Sequence, residues 1–405
     1  MLRNLFFIGV CLLLTVQSAT SAVDSQWRGP NRDGIYPEKN LLKKWPAEGP
    51  QKLWDYTGLG EGFTSVAVAG DKIYTTGMNK KGDGVLFALT LAGKLLWKVV
   101  YASEFSTSYP GVRSTPTVAG NQIYLLSGTG WLVCLNSATG EKIWSLNILD
   151  KFGGKNLYWG VAESPLVDGN RVFITPGGPD AGVVALNRMN GKTIWASKGH
   201  SEKAAYCSPR LVVHNHRKLL VTMTEKSILG LDMQTGKVLW THPHETKYDI
   251  NPNTPIYRNG ELYCVSGYGT GGVKLRLSPD GTNVTEVWRD SRLDSQIGAA
   301  VLVNGYIFGS GHKNRKWFCL DWKTGQVRYK SAKRGKGNII SADNMLYCYD
   351  ESGKVLLVKP DPTAFKIVSS FKVPLGKNQH WAHLVIKNGR LYVRHGNALM
   401  VYRVK

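Results

Sequence analysis

Eight residues of this chain have side chains suited to holding a ligand: Arg113, Glu163, Tyr206, Asn253, Lys336, Asn338, Trp381 and His383. Arg113 and Lys336 offer cations for a carboxylate, and Tyr206 and Trp381 offer stacking faces. Glu163, Asn253, Asn338 and His383 add hydrogen-bonding groups. Gathered in one place, the set suits an anionic, ring-shaped small molecule such as a sugar acid or a quinone tricarboxylate. The same groups could instead cap strand ends and hold channel waters. They lie far apart in the chain, so a repeating architecture must bring them together.

That repeat is legible between Ser114 and Ser145, which reads as four short strands around 116–118, 123–126, 131–135 and 142–144. Each run is rich in β-branched and aromatic residues and bounded by Gly, Asn or Ser. A turn glycine followed four positions later by Trp ends the unit. It recurs as Gly93/Trp97, Gly140/Trp144, Gly191/Trp195 and Gly236/Trp240, with looser copies ending at Trp288, Tyr329 and Phe371. The period is roughly 41–51 residues, the range of propeller blades. A second marker places a first-strand residue eight positions before an aromatic, as in Pro116/Tyr124, Pro165/Phe173 and Pro255/Tyr263. The unit beginning at Pro209 departs from this rule, and its charged His214–Lys218 turn reads as too long.

Eight units result. The last, from Trp381 to Val404, has three strands, and the strand ending at Trp54 has no three before it. Joining the two predicts an all-β, eight-bladed propeller of four-stranded antiparallel blades, closed by the N-terminal strand. First strands line the axis of such a ring. Counting back from the markers puts Phe63, Arg113, Ala162, Tyr206, Pro252, Ile297, Lys336 and Trp381 three positions before the strand. Glu163 and Asn253 stand two before, and Asn338 and His383 one before.

Residues 1–22 read as a signal peptide, 23–50 as an N-terminal arm and 51–405 as the propeller. The arm opens with Trp27-Arg-Gly-Pro-Asn-Arg-Asp-Gly34 and reads as a strap across the ring rather than a lid. Beyond the signal no segment is long and apolar enough to cross a membrane, so an exported, periplasmic or secreted monomer is expected. Five cysteines remain after the signal, an odd count without any C-x-x-C pair. Buried free thiols are expected, with no disulfide framework and no metal site. The net charge of +22 attracts anions, including acidic glycans and envelope partners. The basic residues are scattered and no nucleic-acid motif occurs, so nucleic acid is not an expected partner. Gly267–Gly272 joins two strands and lacks the helix a phosphate loop needs. His242-Pro-His244, His214 and His216 read as surface turns.

The ending Ala/Cys-Leu-Asn/Asp-x-x-Thr-Gly-Lys/Glu-x-x-Trp is clearest at 134–144, 185–195, 230–240 and 319–329. It resembles the pyrroloquinoline-quinone (PQQ)-type propeller repeat. The resemblance implies that Trp54, Trp97, Trp144, Trp195, Trp240 and Trp288 are structural, docking between adjacent blades. Quinoprotein dehydrogenases and the assembly lipoprotein of the outer-membrane β-barrel machinery share these repeats, so fold alone does not give activity. The vicinal cysteine pair of the dehydrogenases and the lipobox of the lipoprotein are both missing here. The leading expectation is non-catalytic ligand or partner binding at the cell envelope. One alternative is a PQQ-dependent oxidoreductase acting on an alcohol or sugar, with calcium held by Glu163 and Asn253. A second is an enzyme acting on an acidic polysaccharide, with Arg113 neutralising the uronate and Tyr206 or His383 moving protons.

Overall fold

The computed structural model describes residues 23–405, and the expected signal segment 1–22 lies outside them. Alternating apolar patterns and glycine-containing turns fold into eight four-stranded antiparallel meanders. In chain order the blades span residues 67–103, 117–147, 166–196, 210–243, 256–290, 300–330 and 337–372, and the eighth takes 385–403 together with Lys52–Thr57. In blade 8 the N-terminal strand pairs antiparallel with Ala398–Arg403, setting Trp54 opposite Val401 and Tyr56 opposite Leu399. The ring therefore closes through ladder hydrogen bonds between its two chain ends, which removes two open sheet edges.

The fourth-strand tryptophans join blades. The rings of Trp54, Trp97, Trp144, Trp195 and Trp288 lie on Gly93, Gly140, Gly191, Gly236 and Gly325 of the following blade. A Cβ at those glycines would come within 2.4–2.9 Å of the indole, and each has positive φ, so both space and backbone demand glycine. The indole N–H of Trp54, Trp144, Trp195 and Trp288 donates to the carbonyls of Leu91, Arg188, Met233 and Trp322. At the closure Phe371 packs the same way on Gly49 of the arm.

Trp240 is likewise buried between blades, with Leu262, Cys264 and Val273 of blade 5, but it does not lie on that blade's turn glycine, because the turn is longer and turns Gly281 towards Leu219 and His214. His214 adds a link there: Nε2 meets the Ser278 carbonyl at 2.9 Å and Nδ1 the Tyr257 hydroxyl at 3.2 Å. His214 is thus buried rather than on a surface turn. The His214–Lys218 segment is not a long turn either. Arg210–His214 and Arg217–Met223 are strands joined by Asn215 and His216 alone, both at positive φ, which is a tight hairpin geometry. His244 is also buried, its Nε2 3.1 Å from the Ser266 hydroxyl. All five cysteines of the described residues are buried and unpaired, filling the apolar layers between blades.

The arm runs against the ends of the first strands and into the axis. Val23–Ser25 pairs with the first strand of blade 2, and Ile35–Tyr36 pairs in parallel with that of blade 7. Between them Arg28 and Arg32 take left-handed backbone and drive their guanidinium groups into the channel, where both are buried. Arg32 donates to the carbonyls of Ser164, Pro165 and Pro209, at the entries to blades 3 and 4. Arg28 donates to Ala300 and Ile339 in blades 6 and 7 and meets His383 Nδ1 at 2.9 Å. Converging strand ends turn several carbonyls towards one axis. A guanidinium, with five donors and no acceptor, is the side chain that can satisfy them.

Candidate functional site

The eight entry positions alternate in direction, as extended chain must. Every residue three positions before its strand lines one cavity of about 460 Å³ on the axis, and none of those two positions before does. Ser164, Ser208 and His383, one before, line it as well. The cavity thus brings together Arg113, Tyr206, Lys336, Trp381 and His383. Glu163, Asn253 and Asn338 point between the blades.

Each of those three has a structural partner. Asn253 Nδ2 donates to the carbonyls of Val265 and Ser295, and its Oδ1 accepts the Ala299 N–H. Asn338 Nδ2 donates to the Ala382 carbonyl. Glu163 Oε2 accepts the Thr175 N–H, and burial pushes this carboxyl up to about 8, so it is held neutral at moderate pH. The hydroxyls one position before the strand form a collar. Thr115 Oγ1 accepts the Ser65 N–H, Ser164 Oγ the Thr115 N–H and Ser208 Oγ the Ser164 N–H. This repeated bond between neighbouring blades explains the run of Ser and Thr at that position.

The cavity cations are engaged. Arg113 donates to the carbonyls of Ser108, Tyr109 and Gly111 and lies against the rings of Phe63 and Phe105. Lys336 Nζ is bonded to Gln296 Oε1, meets His312 Nδ1 at 2.9 Å and pairs with Glu351 at 3.3 Å. Burial and the Lys336 charge lower the His312 pKa, which keeps that ring neutral. His383 is held between Arg28 and the Ile297 carbonyl, and burial drives its pKa down to about 3. It is a fixed neutral ring. Burial also raises the Tyr206 phenol to about 12.

Aromatic side chains dominate what remains. The Phe63 and Tyr109 rings each lie 5.0 Å from that of Trp381. On the facing arc Trp159 lies 6.4 Å from both Tyr206 and Tyr248, Tyr248 lies 5.3 Å from Tyr268, and Tyr268 lies 4.7 Å from His312. Trp27 of the arm forms the floor, with its ring 4.6 Å from His383 and its Nε1 donating to Thr254. Tyr109, Tyr206, Tyr248 and Tyr268 all have positive φ, between 49° and 72°. Such backbone is costly for a bulky residue, so four strained tyrosines around one mouth mark a constructed site. Tyr109, Trp159, Tyr248 and Tyr268 sit in loops of irregular length outside the repeat register. For Tyr109, Trp159 and Tyr268 the signal in the sequence is an aromatic beside glycine or proline, as in Tyr109-Pro-Gly, Tyr158-Trp-Gly and Gly267-Tyr-Gly, which Tyr248 lacks.

These residues do not fit PQQ with calcium. The oxygen of Asn253 is taken by a backbone N–H, and Glu163 is neutral and faces away from the cavity. Among the described residues no cluster of three His, Cys, Asp or Glu side chains could hold a metal.

The family described as outer membrane protein assembly factor BamB matches residues 38–147 and 82–330. The chain belongs to this family. A BamB of Kangiella koreensis is 26% identical over 211 residues, 51% of this chain and 49% of the relative, so the match spans about half of that protein's length. Among solved structures, BamB from Moraxella catarrhalis aligns at 15% identity with a TM-score of 0.64, covering 87% of this chain and 99% of that one. The quinohemoprotein alcohol dehydrogenase of Comamonas testosteroni aligns at 12% identity with a TM-score of 0.66, covering 95% and 81%. At these identities the two structures establish a shared propeller fold and nothing about chemistry. This BamB-family propeller differs from a bare ring in its sealed axis and its aromatic mouth.

Proposed function

We propose that this propeller is a non-catalytic recognition module of the cell envelope, exported there and meeting a protein of the outer-membrane assembly machinery through the rim of its axial mouth. One observation carries the reading. The Arg, Lys, Glu and His side chains of the cavity are engaged by another side chain or by backbone, while the rim presents aromatic rings to solvent, Tyr158 at 77%, Tyr248 at 55% and Tyr109 at 46% exposure. Large amphipathic rings at an open surface favour association, because they bury much area at little entropic cost. Membership of a family described as outer membrane assembly factors supports the choice of partner. Among the described residues no helix is long and apolar enough to cross a membrane.

The test is surface plasmon resonance of the immobilised chain against purified soluble domains of the outer-membrane assembly machinery from the same organism. A Kd of about micromolar or tighter, weakened about tenfold by Tyr158→Ala with Tyr248→Ala, is expected. Absence of binding, or binding indifferent to the rim, would contradict it.

A further inference from the structure

Below the rim, the cavity has its own chemistry. Three features limit what it can hold. Its two cations are partly committed: Lys336 is bonded to Gln296, His312 and Glu351, and Arg113 spends three of its five N–H groups on backbone carbonyls. An anion would have to compete with Glu351 for Lys336. The aromatic faces stand in two arcs around the mouth, Phe63–Trp381–Tyr109 and Trp159–Tyr206 with Tyr268. The uncommitted polar groups are carried on those rings. Tyr206 Oη accepts the Trp159 N–H and Tyr268 Oη accepts from Gln296, so each keeps its own O–H to donate. The Trp381 indole N–H has no partner among the described residues.

We propose that the cavity beneath the rim binds a neutral sugar ring. A pyranose has apolar C–H faces, which the negative face of an aromatic ring attracts, and an equatorial belt of hydroxyls that accept from phenol and indole donors. Its volume suits one or two such rings in a space of about 460 Å³. A sugar uses the aromatic faces and the phenol hydroxyls and needs no cation. The strained tyrosines hold the arcs apart before any ligand arrives, which lowers the ordering cost of binding. This site lies beyond the partner reading: the protein would meet the rim and the sugar would occupy the space below it.

Isothermal titration calorimetry of the purified chain with cellobiose, N,N′-diacetylchitobiose and digalacturonate tests it. At least one neutral disaccharide is expected to bind with a Kd of about millimolar or tighter, unchanged when salt is raised, because no charge is engaged. Trp381→Ala and Trp159→Ala should each weaken it about tenfold, and Tyr206→Phe with Tyr268→Phe severalfold. Thermal melting checks that each variant is folded. If Trp381→Ala unfolds, the phenylalanine pair, which keeps both rings, carries the test. Heat from neither neutral disaccharide, unaltered affinity in the folded variants, or digalacturonate binding at least about tenfold more tightly would each overturn the proposal. Partner binding measured at the rim is independent of all three outcomes.

Discussion

At one end of the axial channel the chain enters its eight first strands and leaves a cavity ringed by aromatic side chains. Directly beneath that cavity the arm fills the axis with Arg28 and Arg32. The strands are common to both levels, so the difference lies in what meets their backbone. Around the arm carbonyls converge, and charged donors satisfy them across blades 3, 4, 6 and 7. At the mouth a collar of Ser and Thr hydroxyls takes up the strand N–H groups, and aromatic side chains stand above it. The comparison separates a stabilising level from a recognising level, and variants at each should behave accordingly.

The largest effect is expected from Arg32→Met. It keeps the stem and removes every donor, leaving the buried carbonyls of Ser164 and Pro209 without the arginine while that of Pro165 keeps the Thr117 hydroxyl, so chemical denaturation should report a loss of about 3 kcal/mol or more with little change in ligand affinity. Next comes Trp144→Ala, which empties the space over Gly191 and should cost about 3–5 kcal/mol. Trp240→Ala should cost less, because His214 also links that blade to the next one.

A smaller effect is a pH slope. Glu163 has its folded pKa raised to about 8 by burial, against an ordinary 4.5. Over that window the folded state binds more protons than the unfolded state, so this carboxyl's stability is full below about 4.5 and is lost as pH rises towards 8. Glu163→Gln should flatten that decline in melting temperature between about pH 5 and pH 8. The smallest effect on the fold is expected from Tyr158→Ala at the rim. Its stability change should stay within about 0.5 kcal/mol while partner affinity falls.

The ring was legible because propeller repeats carry their packing in local pattern. The turn glycine receives the tryptophan of the preceding blade, and the tryptophan four residues on reaches the glycine of the next. Trp54 without a blade and Trp381–Val404 without a fourth strand already implied the closure that the pairing of Trp54 with Val401 makes. The same register located Arg113, Tyr206, Lys336, Trp381 and His383 at one cavity. It could not tell which way Glu163 and Asn253 face, because a shift of one residue reverses a side chain in extended backbone. Nor could it assign Arg28 and Arg32. They occur once, in a segment outside the repeat, and their partners are backbone carbonyls that leave no trace in side-chain pattern. The rim aromatics escaped for a related reason: their loops vary in length from blade to blade.

The most direct test of two levels with separate duties is hydrogen–deuterium exchange of the parent chain against Arg32→Met, followed peptide by peptide. Faster exchange confined to the first strands of blades 3 and 4, around 164–168 and 208–212, with the mouth loops around Tyr109, Trp159 and Tyr268 unchanged, is the predicted result. Equal loosening of the mouth loops, or no change at the strand ends that Arg32 caps, would contradict it.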